Sequence, residues 1–140
     1  MNVTPATRNE TILLAEDEEI LRGLAQDVLE GLGYRILLAK DGAEAVETFV
    51  AHGHQIDGVL LDVVMPRLNG YSAYECIRSL NRDVPVIFMT GYSAEMLRTK
   101  FLQPNLLSDE PEAVIIEKPY TIETLGHKLR EALDSACSTR

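Results

Sequence analysis

Five short apolar runs, each closing on a polar or charged residue, constrain this chain more than any other feature. They cover residues 11–15, 34–39, 56–61, 84–89 and 113–116. Their cores (ILL, ILLA, VLL, VIFM, VII) are apolar at consecutive positions, not at every second one. A strand with one wet face would alternate; a strand covered on both faces need not. Between the runs lie segments with helical spacing. The alternation therefore predicts an α/β fold, a parallel sheet of five strands wrapped by five helices.

The helical segments read as follows. Ile20, Leu21, Leu24, Val28, Leu29 and Leu32 fall near a 3.6-residue period, and Gly33 stands where a helix C-terminal glycine belongs. Asp41 with Glu44 three residues on resembles a capping box, ahead of an apolar face of Ala45, Val46, Phe49 and Val50. Residues 71–80 make a third helix, 93–102 a short fourth, and Ile122, Leu125, Leu129, Ala132 and Leu133 mark the last. The polar stretch 103–112, with Pro104 and Pro111, reads as a loop. Residues 1–10 read as a flexible leader, 11–134 as one domain and 135–140 as a tail; the length suits a single domain with a real core.

Charge and composition remove several functions. Thirteen Lys and Arg against 22 Asp and Glu give a net charge of −9, which argues against direct nucleic-acid binding. No run reaches the roughly 18 apolar residues of a membrane span, and the first residues, MNVTPATRNE, lack a secretory pattern. Cys76 and Cys137 form no CxxC motif; Cys76 fits a packed helix position and Cys137 a frayed end. The expected compartment is the cytoplasm.

In a parallel sheet, ligands bind beyond the carboxyl ends of the strands. Here those ends carry Glu16-Asp17, Asp62, Thr90 and Lys118. Three carboxylates, a hydroxyl and an ammonium from distant parts of the sequence would meet in one cleft. Three carboxylates together demand a cation or shifted protonation, and one lysine cannot neutralise them. An all-oxygen donor set with water suits Mg²⁺. Carboxylate, metal, hydroxyl and ammonium together suit in-line phosphoryl transfer to an aspartate.

At this point the chain resembles the receiver domain of two-component response regulators. The matching pieces are LLAEDEE at 13–19, LLDVVMPRLNG at 60–70, MTG at 89–91 and EKPY at 117–120. They occur in order, each at a strand end, and the likeness covers about residues 11–134. The resemblance implies a flavodoxin-like (βα)5 doubly wound sheet of order 2-1-3-4-5, the order the chemotaxis receiver exemplifies. It implies Asp62 as phosphoacceptor; Asp17, Asp62 and the Val64 carbonyl as Mg²⁺ ligands; and Glu16 acting on the metal through water. It implies that Thr90 contacts the phosphoryl group and that Lys118 bridges to it. Such a domain catalyses its own phosphorylation and dephosphorylation and is no conventional turnover enzyme. The implied partners are a histidine kinase or histidine phosphotransfer protein, with small donors such as acetyl phosphate as substitutes. A homodimer could form through the face made by the helix over 93–102, the fifth strand and the last helix. The ETILLAEDEE stretch resembles receivers attached to hybrid histidine kinases. One departure stands out: Ile115 occupies the position where many relatives carry Tyr or Phe, so Tyr92, Tyr120 or a backbone shift would have to serve as the switch.

The rival readings are weaker. A flavin binder needs a Ser/Thr/Gly-rich cradle after the first strand, where EDEE would repel phosphate. An aspartyl phosphatase needs a second Asp close behind Asp62, and Val63-Val64 supply none. A pseudo-receiver that binds partners without phosphate would have no need of the full set of Glu16, Asp17, Asp62, Thr90 and Lys118. Glu18 and Glu19 read as a solvated helix start. His52, His54 and His127 read as surface residues away from the site.

Overall fold

The computed structural model describes residues 10–63, 70–90, 114–117 and 120–139. Five parallel strands, β1 (Thr11–Ala15), β2 (Arg35–Ala39), β3 (Gly58–Asp62), β4 (Val86–Thr90) and β5 (Val114–Glu117), form one sheet in the order β2-β1-β3-β4-β5. The described helices are α1 (Glu19–Gly31), α2 (Gly42–His52), α3 (Gly70–Leu80) and α4 (Ile122–Thr139), with a 3₁₀ turn at Gly53–Gln55. The helix expected over 93–102 and the loop over 103–112 lie outside the described residues. The strand order is the one the receiver resemblance implies.

Consecutive apolar residues do divide between two faces. Leu13, Ala15, Val59, Leu61 and Phe88 pack with Phe49, Tyr74 and Ile77 of α2 and α3. Ile12, Leu14, Leu60, Ile87, Met89 and Ile116 pack with Leu29 of α1 and Leu125, Leu129 and Leu133 of α4. Side chains alternate across a strand, so a sheet with two dry faces needs apolar residues at every position. The sheet and α4 approach closely at Gly58, where a Cβ would sit 2.9 Å from Leu133 Cδ2.

Local chemistry sets the helix ends. Gly33 has φ 106°, the left-handed conformation that favours glycine. Its N–H donates to Glu30 O at 3.0 Å and the Tyr34 N–H donates to Leu29 O at 3.1 Å, a Schellman closure of α1. Asp41 caps α2, accepting from the Glu44 N–H at 2.8 Å. Glu44 Oε1 in turn accepts from the Lys40 N–H at 2.9 Å, so the predicted box forms one residue out of its usual register.

Several expectations are corrected. Strands β2, β3 and β4 begin one or two residues later than the apolar runs suggest, because Tyr34, Ile56 and Val84 are buried ahead of their strands instead of in them. Ile20 (78% exposed) and Leu24 (57%) of α1 and Val50 (66%) of α2 stand in solvent, so both helices bury narrower stripes than their apolar patterns imply. Cys76 is exposed, not packed, because α3 turns Ala73 and Ile77 inward instead. Glu10, counted with the leader by its polarity, is held by a buried cation. Arg130 of α4 donates from both terminal nitrogens to its carboxylate, at 2.8 and 2.6 Å, and to Asp134 at 2.9 Å. The hydrogen bonds to Glu10 push the Arg130 guanidinium further above its ordinary value. Beside it lies the buried Tyr34 hydroxyl, whose ionisation the Arg130 guanidinium favours and burial opposes more strongly. Burial pushes its phenol above the ordinary value of 10.0.

Candidate functional site

Strand register builds the site. Ala15 of β1 pairs with Leu61 of β3, so Glu16, the next residue, comes level with Asp62. Asp62 pairs with Met89, which puts Thr90 one step further along the same edge. Thr90 pairs with Glu117, the last residue of β5. Four strands thus deliver their polar ends to one side of the sheet, for no reason other than parallel pairing.

Glu16, Asp17 and Asp62 come together there. One carboxylate oxygen from each lies within 4.8 Å of the other two. Glu16 is 1% exposed and Asp62 7%, while Asp17 is open to solvent. Two buried like charges and a third at the rim raise one another's cost, by about 3.5 kcal/mol per pair at that spacing and an effective dielectric of 20. The donor set is all oxygen, anionic and open on one side. It fits a hard divalent cation that keeps waters, Mg²⁺ above others.

Hydrogen bonds at Glu16 fix the loop after β1. The Glu16 N–H donates to Ala39 O of β2 at 3.1 Å. The Glu16 carboxylate accepts from the Glu18 N–H at 3.2 Å. The Glu16 carbonyl accepts from Arg22 Nη1 at 2.9 Å. Residue 18 is the N-cap of α1 and makes no side-chain cap; these bonds fix the loop ahead of the helix, not the helix's first N–H groups.

The carboxylate triad is brought together as its sequence positions predict. Thr90 ends β4, but its side chain, with Val64, Lys118 and Tyr92, lies outside the described residues, as does the Ile115 side chain. Tyr120 is half-buried and packs against the core on the α1/α4 face. The three histidines are surface residues: His52 and His54 sit just before β3, at the sheet end remote from Asp62, and His127 lies 3.4 Å from Glu131 on α4. Arg22 is the residue that sequence reasoning missed. Its signal was faint, a single basic residue one turn into a helix whose start is otherwise acidic.

Residues 12–130 match the model of the response regulator receiver domain. This chain is a receiver domain of that family. Among relatives, it is 34% identical over 141 residues to the autoinducer 1 sensor kinase/phosphatase LuxN of Vibrio campbellii, covering 97% of this chain and 16% of that protein. The chain therefore spans about a sixth of that relative's length. Among solved structures, a receiver domain protein of Clostridium thermocellum superposes with a TM-score of 0.80 at 24% identity, covering 94% of this chain and 99% of that one. The response regulator TrrA of Thermotoga maritima, solved in complex with Mg²⁺ and BeF, superposes with a TM-score of 0.73 at 27% identity, covering 88% and 98%. Membership places the chain in two-component phosphorelay signalling. No helix among the described residues is long and apolar enough to cross a membrane.

Proposed function

We propose that this receiver accepts a phosphoryl group on Asp62 from a phosphohistidine donor and that Glu16, Asp17 and Asp62 hold the Mg²⁺ the transfer requires. The observation that carries the reading is the convergence of three carboxylates within 4.8 Å at the carboxyl ends of β1 and β3. An Asp62 oxygen attacks phosphorus as the donor's P–N bond breaks, and the imidazole leaves with the bonding electrons and takes up a proton. Glu16 and Asp17 supply the charge that retains the metal; when bound, Mg²⁺ neutralises the cluster and lowers the repulsion between carboxylate and phosphoryl oxygens. The Val64 carbonyl completes the donor set. Thr90 and Lys118 meet the phosphoryl oxygens, and Thr90 reports their arrival. With Ile115 in place of an aromatic ring, the report passes through Tyr92, Tyr120 or a backbone shift.

The donor is a histidine kinase or a histidine phosphotransfer protein of the cytoplasm. Support comes from the surface beside the site. Ile20 and Leu24, one helical turn apart, are exposed on α1 directly after the acidic loop, where a partner delivering a phosphohistidine would land. A dimer through β5, α4 and the segment over 93–102 would be the phosphorylated form's output surface.

The test follows transfer from a phosphorylated histidine kinase to this chain with Mg²⁺. Label should leave the kinase histidine and appear on wild type but not on Asp62→Asn. Labelling of Asp62→Asn at the wild-type rate, or none on wild type, would overturn the reading. A phosphate-independent interaction module would show the second result.

A further inference from the structure

We infer that Arg22 is a positioning residue for the metal site, acting through the backbone of the β1–α1 loop. The inference rests on the reading of Glu16, Asp17 and Asp62 as the metal-binding set. Asp17 poses the problem that Arg22 answers. Its side chain is exposed, so no packing fixes it, yet its carboxylate lies within 4.8 Å of both buried partners. Its location must therefore be set by the backbone of residues 16–18. That backbone is tied to β2 through the Glu16 N–H and to itself through the Glu18 N–H and the Glu16 carboxylate. The remaining tie runs from Arg22 Nη1 to the Glu16 carbonyl at 2.9 Å, across six residues. It joins the loop to the body of α1 through a side chain. The Arg22 N–H makes the ordinary first backbone bond of α1, to Glu18 O at 2.8 Å, so the side chain that reaches Glu16 is anchored in the first turn of the helix.

Two roles for this arginine predict opposite signs. As a nearby positive charge, it would repel Mg²⁺, and its removal would tighten metal binding. As a brace, it reduces the freedom that Asp17 must lose on ligation, and its removal would weaken binding. The geometry points to the brace, because the guanidinium bonds a neutral carbonyl.

The experiment titrates Mg²⁺ into unphosphorylated wild type, Arg22→Met and Arg22→Lys, reading affinity from calorimetry or amide shifts. Hydrogen exchange of the Glu18 amide is followed in the metal-free proteins. Arg22→Met should bind Mg²⁺ about tenfold more weakly and should exchange Glu18 faster. Arg22→Lys, able to donate one bond to the same carbonyl, should recover most of both. Unchanged or tighter Mg²⁺ binding by Arg22→Met, or unaltered exchange at Glu18, would overturn the inference. Failure of wild type itself to bind Mg²⁺ would overturn the metal reading, while the exchange comparison would still decide whether Arg22 braces the loop.

Discussion

Replacing Asp17 by Asn should move stability in opposite directions with and without metal. The carboxylates of Asp17, Glu16 and Asp62 lie within 4.8 Å of one another, so each pair costs about 0.9 kcal/mol at the dielectric of water and about 3.5 kcal/mol at 20. Asp17 is exposed, which puts its two pairs near the water-like limit and subjects them to ionic screening. The substitution keeps the shape and removes both repulsions, a gain of about 1–2 kcal/mol without metal. With metal the order reverses. A ligand at a hundred times its Kd stabilises the folded state by about 2.7 kcal/mol, and Asp17→Asn forfeits most of that. The assay is urea unfolding of both proteins in chelator and in saturating Mg²⁺, at low and high salt. The metal-free advantage should shrink as salt rises. Equal midpoints in chelator, or an equal Mg²⁺-dependent shift in both proteins, would show that the three charges neither crowd nor share an ion.

Three further outcomes follow from the opposite end of the sheet and from α1. Burial raises the Tyr34 phenol above 10.0, so the unfolded chain ionises first and stability falls as pH rises through about 10. Tyr34→Phe should remove the Tyr34 share of that alkaline fall in a denaturation series. Arg130→Met leaves the Glu10 carboxylate, 12% exposed, without its bidentate partner and should cost about 3–5 kcal/mol. The double replacement with Glu10→Met should return most of it, as a chemical-denaturation cycle would show. Gly23→Ala should stabilise the protein by about 1 kcal/mol in the same assay, since a Cβ there meets nothing within 4 Å.

The layering was legible because it is written in hydrophobicity. Leu13 and Leu14 point to opposite faces and both are fully buried, a pattern that only a sheet covered on each side requires. The triad was legible for the same reason: once the runs are parallel strands, Glu16 and Asp62 must fall at one edge. What sequence reading mistook was which apolar residues are spare. Ile20 and Leu24 continue the helical period of α1, yet both stand exposed, and periodicity carries no information about where a neighbour stops. Arg130 was hidden for the converse reason. A cation beside Leu129 looks like any surface residue until Glu10, 120 positions away, is folded against it. Arg22 was hidden because its partner is a backbone carbonyl, and a carbonyl leaves no mark in a sequence.

The central claim is that folding gathers distant carboxylates around a divalent ion and makes Asp62 the acceptor. Intact-mass measurement after incubation with a small phosphodonor tests it most directly. Wild type with Mg²⁺ should gain the mass of one phosphoryl group, on a peptide containing Asp62. Chelator, Asp17→Asn and Asp62→Asn should each suppress the gain. The same added mass on Asp62→Asn, or a gain in wild type that ignores Mg²⁺, would contradict the account.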